Sequence, residues 1–288
     1  MEGDSMTTLS SARDAFLLRV RPRLASAVRT TGTWALDQLG GMLQRLETLP
    51  GFGKVGDQTS PPSLELVDRV LERYVEANPN DSYARTAAKI DRFRYAASLD
   101  WLRGVVRPGD RVLELGGRGP FSDVFQAAFP QARIEHSLLD LREPIPFPEH
   151  AFDVVLCMEV IEHVCDVQYA HATTLSGVKQ CLAEIYRVLK PGGSMLLTTP
   201  NAAGATVMHR LLRHEPPWNW EYHFREFTIF EIQSLVKDAG FAIERVDTVQ
   251  VWSSFGTSPQ LLSFLWLSGA SVHARGDNTF LLARRGAT

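Results

Sequence analysis

Ten residues, Arg111 to Pro120, limit what this chain can fold into more than any other stretch: Arg-Val-Leu-Glu-Leu-Gly-Gly-Arg-Gly-Pro. Val112 to Leu115 is a short apolar run holding one carboxylate, Glu114, and it breaks at once into Gly116, Gly117 and Gly119. A strand that ends in such a turn lets a ligand come close to the backbone, and open α/β sheets bind their ligands at the carboxyl ends of strands. The stretch predicts a nucleotide-type pocket at the end of a first strand. A dinucleotide fingerprint starting at Gly117 would need glycines at 117, 119 and 122, but the third place is Ser122, so the spacing speaks against a nicotinamide-dependent dehydrogenase.

From Asp110 onward the pattern alternates strands with helices, which implies a parallel sheet with crossover helices. Arg111 to Leu115 is the first strand, Phe121 to Phe129 a helix whose N-terminus faces the pocket, and Ala132 to Leu139 the second strand. Phe152 to Met158 is a continuous apolar run after one aspartate, as in a strand buried on both faces. Val178, Leu182, Ile185 and Leu189 mark a helix, Leu189 to Gly193 a turn, and Ser194 to Thr199 the next strand. Thr228 and Glu231 make a capping box for a helix stopped at Gly240. Phe241 to Val251 and Thr279 to Ala283 are late strands, and Leu261 to Leu267 a buried helix between them.

Residues 1–103 carry no strand pattern of note. Apolar residues recur at helical spacing from Phe16 to Val28, from Leu36 to Leu46 and from Leu64 to Val75, and a further helix runs through Tyr95 and Leu99 towards Trp101. Such an appendage could close over a substrate pocket or form a homodimer face, and the sequence leaves both open. The chain of 288 residues, 44% of them hydrophobic, can bury a full core and still carry it. A net charge of -3 and a pI near 6.3 provide no general attraction to nucleic acid or to an anionic membrane. No apolar run reaches the roughly 18 to 20 residues that span a bilayer. Cys157, Cys165 and Cys181 are odd in number and lack metal-ligand spacing, so a reduced cytoplasmic compartment is the simplest expectation.

Four ordered motifs resemble those of the class I S-adenosylmethionine (SAM)-dependent methyltransferases. They are the glycine turn after Glu114, the run Asp140-Leu141-Arg142-Glu143-Pro144-Ile145-Pro146-Phe147, the stretch from Phe152 to Val164 with its Glu159-Val160-Ile161-Glu162-His163, and Arg187-Val188-Leu189-Lys190-Pro191-Gly192-Gly193. His223-Phe224-Arg225-Glu226-Phe227 is similar to the family's lead into a later helix. The resemblance covers roughly residues 104 to 285 and implies a Rossmann-like, seven-stranded, mostly parallel sheet flanked by helices. It divides the chain into a helical N-terminal extension, 1–103, and a SAM-binding methyltransferase domain, 104–288.

By that resemblance the cofactor contacts fall to Glu114, Gly116, Gly117, Gly119, Asp140, Leu141, Met158 and Glu159. The candidate catalytic residues are Glu162, His163 and His223, because a histidine at a strand's carboxyl end can take a proton from a substrate hydroxyl. Glu159, Glu162 and His163 stand at i, i+3 and i+4 and share a face if the turn is helical. Ubiquinone-pathway O-methyltransferases have a similar Glu-x-x-Glu-His that is reported to hold a divalent metal, so these three are also the candidate metal ligands. Trp218, Trp220, Tyr222 and Phe224 form an aromatic loop suited to substrate contact, and His171 and Asn201 are further candidates near the substrate.

The implied reaction is methyl transfer to a small-molecule acceptor, with O-methylation first and N- or C-methylation as the alternative. Three residues depart from the pattern. Arg118 and Pro120 stand at two glycine places, and Leu138 stands where an acidic residue would meet the ribose hydroxyls. Asp140 is the nearest carboxylate, with its role towards ribose or adenine open. These departures keep in view a SAM-fold protein that binds or assembles without turnover.

Overall fold

The computed structural model describes residues 59–166, 175–252, 265 and 274–287. The first two N-terminal helical sets, His171 and all of the Leu261 to Leu267 stretch except Leu265 lie outside the described residues. Apart from Leu265, what is described belongs to one folded unit, residues 53–256 with 274–288.

Helix α1, Pro61–Ala77, starts on two prolines, whose missing N–H groups would be unpaired in a first turn anyway. Asp100 ties that start down by accepting from Ser60 Oγ and Ser63 Oγ, each at 2.6 Å. A short helix α2, Ser82–Thr86, passes through a π-helical turn, Ala87–Asp91, into α3, Arg92–Leu102. Next come β1, Arg111–Leu115, then α4, Pro120–Ala128, and β2, Arg133–Ser137. Strand β3, Phe152–Met158, leads through a 3-10 turn, Ile161–His163, towards α5, Ser176–Val188. Strand β4, Leu189–Pro200, is followed by α6, Ala205–Leu212, and α7, Ile229–Asp238, and the chain closes with β5, Ala242–Val249, and β6, Asn278–Arg284.

Among the described residues six strands form one sheet in the order β2-β1-β3-β4-β6-β5. The first four run parallel, and β6 lies antiparallel between β4 and β5. The resemblance implied a seventh strand, and the segment between β2 and β3 holds none. Pro144, Pro146 and Pro148 recur at every second residue there and remove the backbone donors that a ladder needs. The expected turn at Leu189 to Gly193 is instead drawn into β4, where Leu189 pairs with Phe152 before an irregularity resets the register at Ser194.

Period-two alternation splits the central strands between two cores, one on each face of the sheet. Leu113, Leu115, Val155 and Cys157 pack with α5 and α7 through Leu182, Ile185, Ile232 and Val236. Val112, Val154, Leu156 and Met158 pack with α1, α3 and α4 through Leu71, Tyr95, Leu99 and Phe125. The described helices before β1 therefore cover one face of the sheet. The chain leaves β1 for β2 at the edge and returns on the other side to β3, so the carboxyl ends of β1 and β3 flank the point where strand order reverses. In open α/β sheets that crevice binds the ligand.

Candidate active site

Two adjoining hollows occupy this crevice. The smaller, about 240 Å³, lies against the end of β1 and the start of α4; the larger, about 510 Å³, lies beyond β3. They share Gly116, Glu159 and Val160.

Gly116 and Gly117 take φ of +92° and +88°, a backbone conformation that side chains other than glycine's rarely adopt. Both N–H groups donate to the Ser137 carbonyl at 3.1 Å, which anchors the turn to the end of β2. A Cβ on Gly116 would sit 3.0 Å from Val160 Cγ2, so the turn and the β3 exit are fitted to one another. Gly119 differs. Its backbone is extended and a Cβ there would meet nothing within 4 Å, so its glycine keeps space open in front of α4.

Glu114 is buried at this end, and Ser122 Oγ donates to its Oε2 at 2.6 Å. Burial pushes its carboxyl up to about 7, against the pull of the Ser122 hydrogen bond and the Arg94 charge. Arg94, from α3, lines the same hollow and is itself buried. Burial works against its charge, but the Asp91 carboxylate, whose Oδ1 lies 3.1 Å from its guanidinium, and then Glu159 raise its pKa. One hollow thus presents a carboxylate and a guanidinium together. Sequence patterns missed Arg94, because it stands on a helix well before the glycine turn and carries no motif.

Met158 and Glu159 line the smaller hollow. Glu159 has φ +54°, and its Oε1 accepts from Thr198 Oγ1 at 2.7 Å and from Asn278 Nδ2 at 2.8 Å. Its carboxylate is therefore fixed on β4 and β6. The i, i+3, i+4 face does not form, because Glu159 lies outside the short 3-10 turn that carries Glu162 and His163. Burial, opposed by the Arg94 charge, raises the Glu159 pKa. Burial together with the neighbouring Glu159 raises Glu162 well above the ordinary carboxylate range. Glu162 Oε2 accepts from Thr199 Oγ1 at 2.9 Å.

His223 joins Glu162 and His163 in Glu159's place. One ligand atom from each of these three lies within 4.8 Å of the others, the donor set of a two-histidine, one-carboxylate cation site. The imidazoles of His163 and His223 meet edge to face at 4.9 Å between centroids. His223 Nδ1 lies 2.7 Å from Oε1 of the buried Glu226, which also accepts from Asn219 Nδ2 at 2.9 Å. Burial lowers the His163 pKa, the adjacent His223 adds to this, and a hydrogen bond with the Tyr222 backbone opposes it. Trp220 packs edge to face on both imidazoles, while Trp220, Tyr222 and Phe224 remain more than half exposed.

Asp140, Leu141 and His163 all line the larger hollow. Leu141 is largely buried in the core beneath it. Asp140 is exposed and engaged by Arg142, whose side chain and backbone N–H both donate to it and hold its carboxyl down at about 2. Leu138 stands 80% exposed, so the expected ribose position offers no polar group. Asn201 was expected to orient substrate, and the structure places it elsewhere. It is fully buried, and its amide donates to the carbonyls of Ala274 and Gly276 at 3.0 and 2.8 Å, a structural clasp.

An α/β sheet with its glycine turn, acidic strand end and open crevice at the reversal of strand order defines a nucleotide-cofactor enzyme fold. Residues 71–246 match the family described as Methyltransferase domain, and the chain belongs to that family. It is 32% identical over 131 residues, 46% of its length, to a probable S-adenosylmethionine-dependent methyltransferase of Mycolicibacterium smegmatis. Over 69 residues, 24% of its length, it is 41% identical to the mitochondrial ubiquinone biosynthesis O-methyltransferase of Homo sapiens. These matches span 42% and 16% of the two relatives' own lengths. A solved SAM-dependent methyltransferase from Archaeoglobus fulgidus aligns over 71% of this chain and 100% of its own, at 13% identity and a TM-score of 0.45.

The chain carries a methyltransferase domain, and the lining of its crevice fits S-adenosylmethionine. A cradle that side chains would obstruct lies beside a carboxylate and a guanidinium, the charges that complement an amino acid's ammonium and carboxylate. Among the described residues no helix is long and apolar enough to cross a membrane, and Cys157, Cys165 and Cys181 are all free thiols.

Proposed function

We propose that this enzyme methylates a hydroxyl of a small, partly aromatic molecule in the cytoplasm. Residues 104–288 would form the SAM-binding domain, with the described helices α1 to α3 packed on one face of its sheet. Glu114 and Arg94 would hold the amino-acid end of the cofactor, Gly116, Gly117 and Gly119 its middle, and Asp140, Leu141, Met158 and Glu159 the remainder. The bound cofactor supplies an electrophilic methyl group, so the protein's task is alignment and removal of one proton.

The observation that carries this reading is the imidazole pair. His163 and His223 are each braced by a neighbouring oxygen acceptor, from Tyr222 and Glu226, and stand under an exposed aromatic rim. His163, biased to the neutral form, suits acceptance of a proton from a phenol-like hydroxyl. Glu162 is biased towards its protonated form and braces the turn. Trp220, Tyr222 and Phe224 offer ring faces and edges to the acceptor. A neutral amine acceptor, which already carries a free lone pair, would need no such base. The test is incubation with methyl-labelled SAM and matched panels of phenols, aliphatic alcohols and amines. Transfer to phenols above amines supports the reading, and transfer to amines alone defeats it.

A second reading has Glu162, His163 and His223 hold a divalent cation, favoured by the convergence of their ligand atoms within 4.8 Å. Removal of metal with a chelator and return of magnesium, manganese or zinc separates the two. Activity lost and restored supports the cation, and activity unchanged leaves the imidazoles as the base.

A further inference from the structure

A second histidine cluster lies on the cofactor side of the crevice. His136 Nε2, from β2, is 3.1 Å from Glu114 Oε2 and 3.1 Å from Ser122 Oγ. Ser122 Oγ donates to the same Glu114 oxygen at 2.6 Å and accepts from the Gly119 N–H at 3.1 Å. Two side chains, from β2 and α4, thus converge on one oxygen of the β1 carboxylate, and among the described residues its other oxygen accepts no hydrogen bond. The His136 side chain is 24% exposed and that of Glu114 is 8% exposed, so little water reaches the pair.

We propose that His136 is a positioning residue for the cofactor: its Nε2–H donates to Ser122 Oγ and so aims the Ser122 hydroxyl at Glu114, which favours the ionised carboxylate and sets the pH range in which the site accepts an ammonium-bearing ligand. The inference rests on the SAM reading above. A buried carboxylate facing an ammonium group attracts it only when ionised, and each hydrogen bond to the ionised form favours it. The charged groups that face Glu114 are Arg94 from α3, Arg118 from the turn and Asp123 from α4. Arg94 and Arg118 favour the carboxylate and Asp123 opposes it, with burial the strongest influence against it. His136 is biased towards neutrality by its own burial and then by Arg118, so it acts as a hydrogen-bond donor more than as a charge.

The consequence is a pH dependence confined to the amino-acid end of the cofactor. S-adenosylhomocysteine carries the ammonium and carboxylate, and 5′-methylthioadenosine lacks both. Calorimetric titration of each between pH 5.5 and 8.5 should show S-adenosylhomocysteine weakening by up to about tenfold per pH unit below neutrality, with 5′-methylthioadenosine unchanged. His136→Leu removes the donor, moves the fall in affinity to higher pH, and weakens S-adenosylhomocysteine about tenfold at pH 7.5. His136→Gln keeps an N–H donor and restores the wild-type affinity at that pH.

If His136→Leu fails to fold, His136→Gln and Ser122→Ala still decide the matter. Ser122→Ala should shift the profile in the Leu direction while His136→Gln should not. Equal pH profiles for the two nucleosides in the wild type, or identical S-adenosylhomocysteine profiles in wild type and Ser122→Ala, would overturn the proposal. Binding of neither nucleoside at any pH would instead defeat the cofactor reading itself.

Discussion

The two ends of the crevice are built on opposite plans. At the β1 end polar groups are tied inward: Gly116 and Gly117 hang on the Ser137 carbonyl, Glu114 on Ser122 and His136, and Arg94 on Asp91. At the β3 end Glu162, His163 and His223 are braced from below, but the rim above them is exposed aromatic surface. The first plan suits a cofactor of fixed shape. The second suits an acceptor held by contact area, with its chemistry done by a few placed groups.

The sharpest break between the two ends should come from the imidazoles. His163→Ala and His223→Ala are each expected to lower kcat by about 10²- to 10⁴-fold, the usual size of general-base contributions, while leaving S-adenosylhomocysteine affinity within a factor of about two. Initial rates with an identified acceptor, together with calorimetry, measure both. Equal loss of rate and cofactor affinity would mean that the two ends are not separate in function.

Arg94→Ala should do the reverse. It leaves the largely buried Asp91 without its cation, so denaturant unfolding should show a loss of about 3–5 kcal/mol, and the cofactor should bind more weakly. Unchanged stability and affinity would remove Arg94 from the site.

Glu114 gives the cofactor end a pH signature even without ligand. Its carboxyl ionises near 4.5 when unfolded and near 7 when folded, so between these values the folded chain holds the extra proton. Stability contributed by this group is therefore fully present at low pH and falls as pH rises through that window, by up to about 1.4 kcal/mol per unit. Unfolding free energies of wild type and Glu114→Gln across pH 4.5 to 7.5 should diverge accordingly, and parallel curves would contradict the burial argument.

The smallest effects separate two glycines. Gly116→Ala meets both a left-handed backbone and Val160, and should cost about 1–2 kcal/mol of stability along with cofactor binding. Gly119→Ala has room and an extended backbone, so stability should stay within about 0.5 kcal/mol while binding weakens. A destabilised Gly119→Ala would show that the space in front of α4 is not free.

Much of the fold was legible because it is written in continuous runs. Strands β1 and β3 begin and end at the expected residues, since apolar runs bounded by glycine, aspartate or glutamate leave little choice of register. The seventh strand came from the resemblance alone, and the prolines at 144, 146 and 148 deny a ladder the backbone donors it needs. The site was legible where one segment carries it, as at Gly116 and His163. It was illegible where distant segments close on one another. Arg94 reaches the cofactor end from α3, His136 reaches Glu114 across a strand pair, and Glu226 supports His223 from within its own loop. Asn201 was misread for the same reason, because the carbonyls that hold it lie more than 70 residues further along the chain.

Thermal unfolding with SAM, S-adenosylhomocysteine or NAD, each added separately, tests the central claim that the β1–β3 crevice is a sulfonium-nucleoside site. At about a hundred times its dissociation constant, a ligand that binds only the folded chain adds roughly 2.7 kcal/mol of stability. A rise in midpoint with SAM and S-adenosylhomocysteine, absent with NAD and abolished by Gly116→Ala, is the predicted result. No rise with either sulfur ligand, or a rise with NAD in their place, would contradict it.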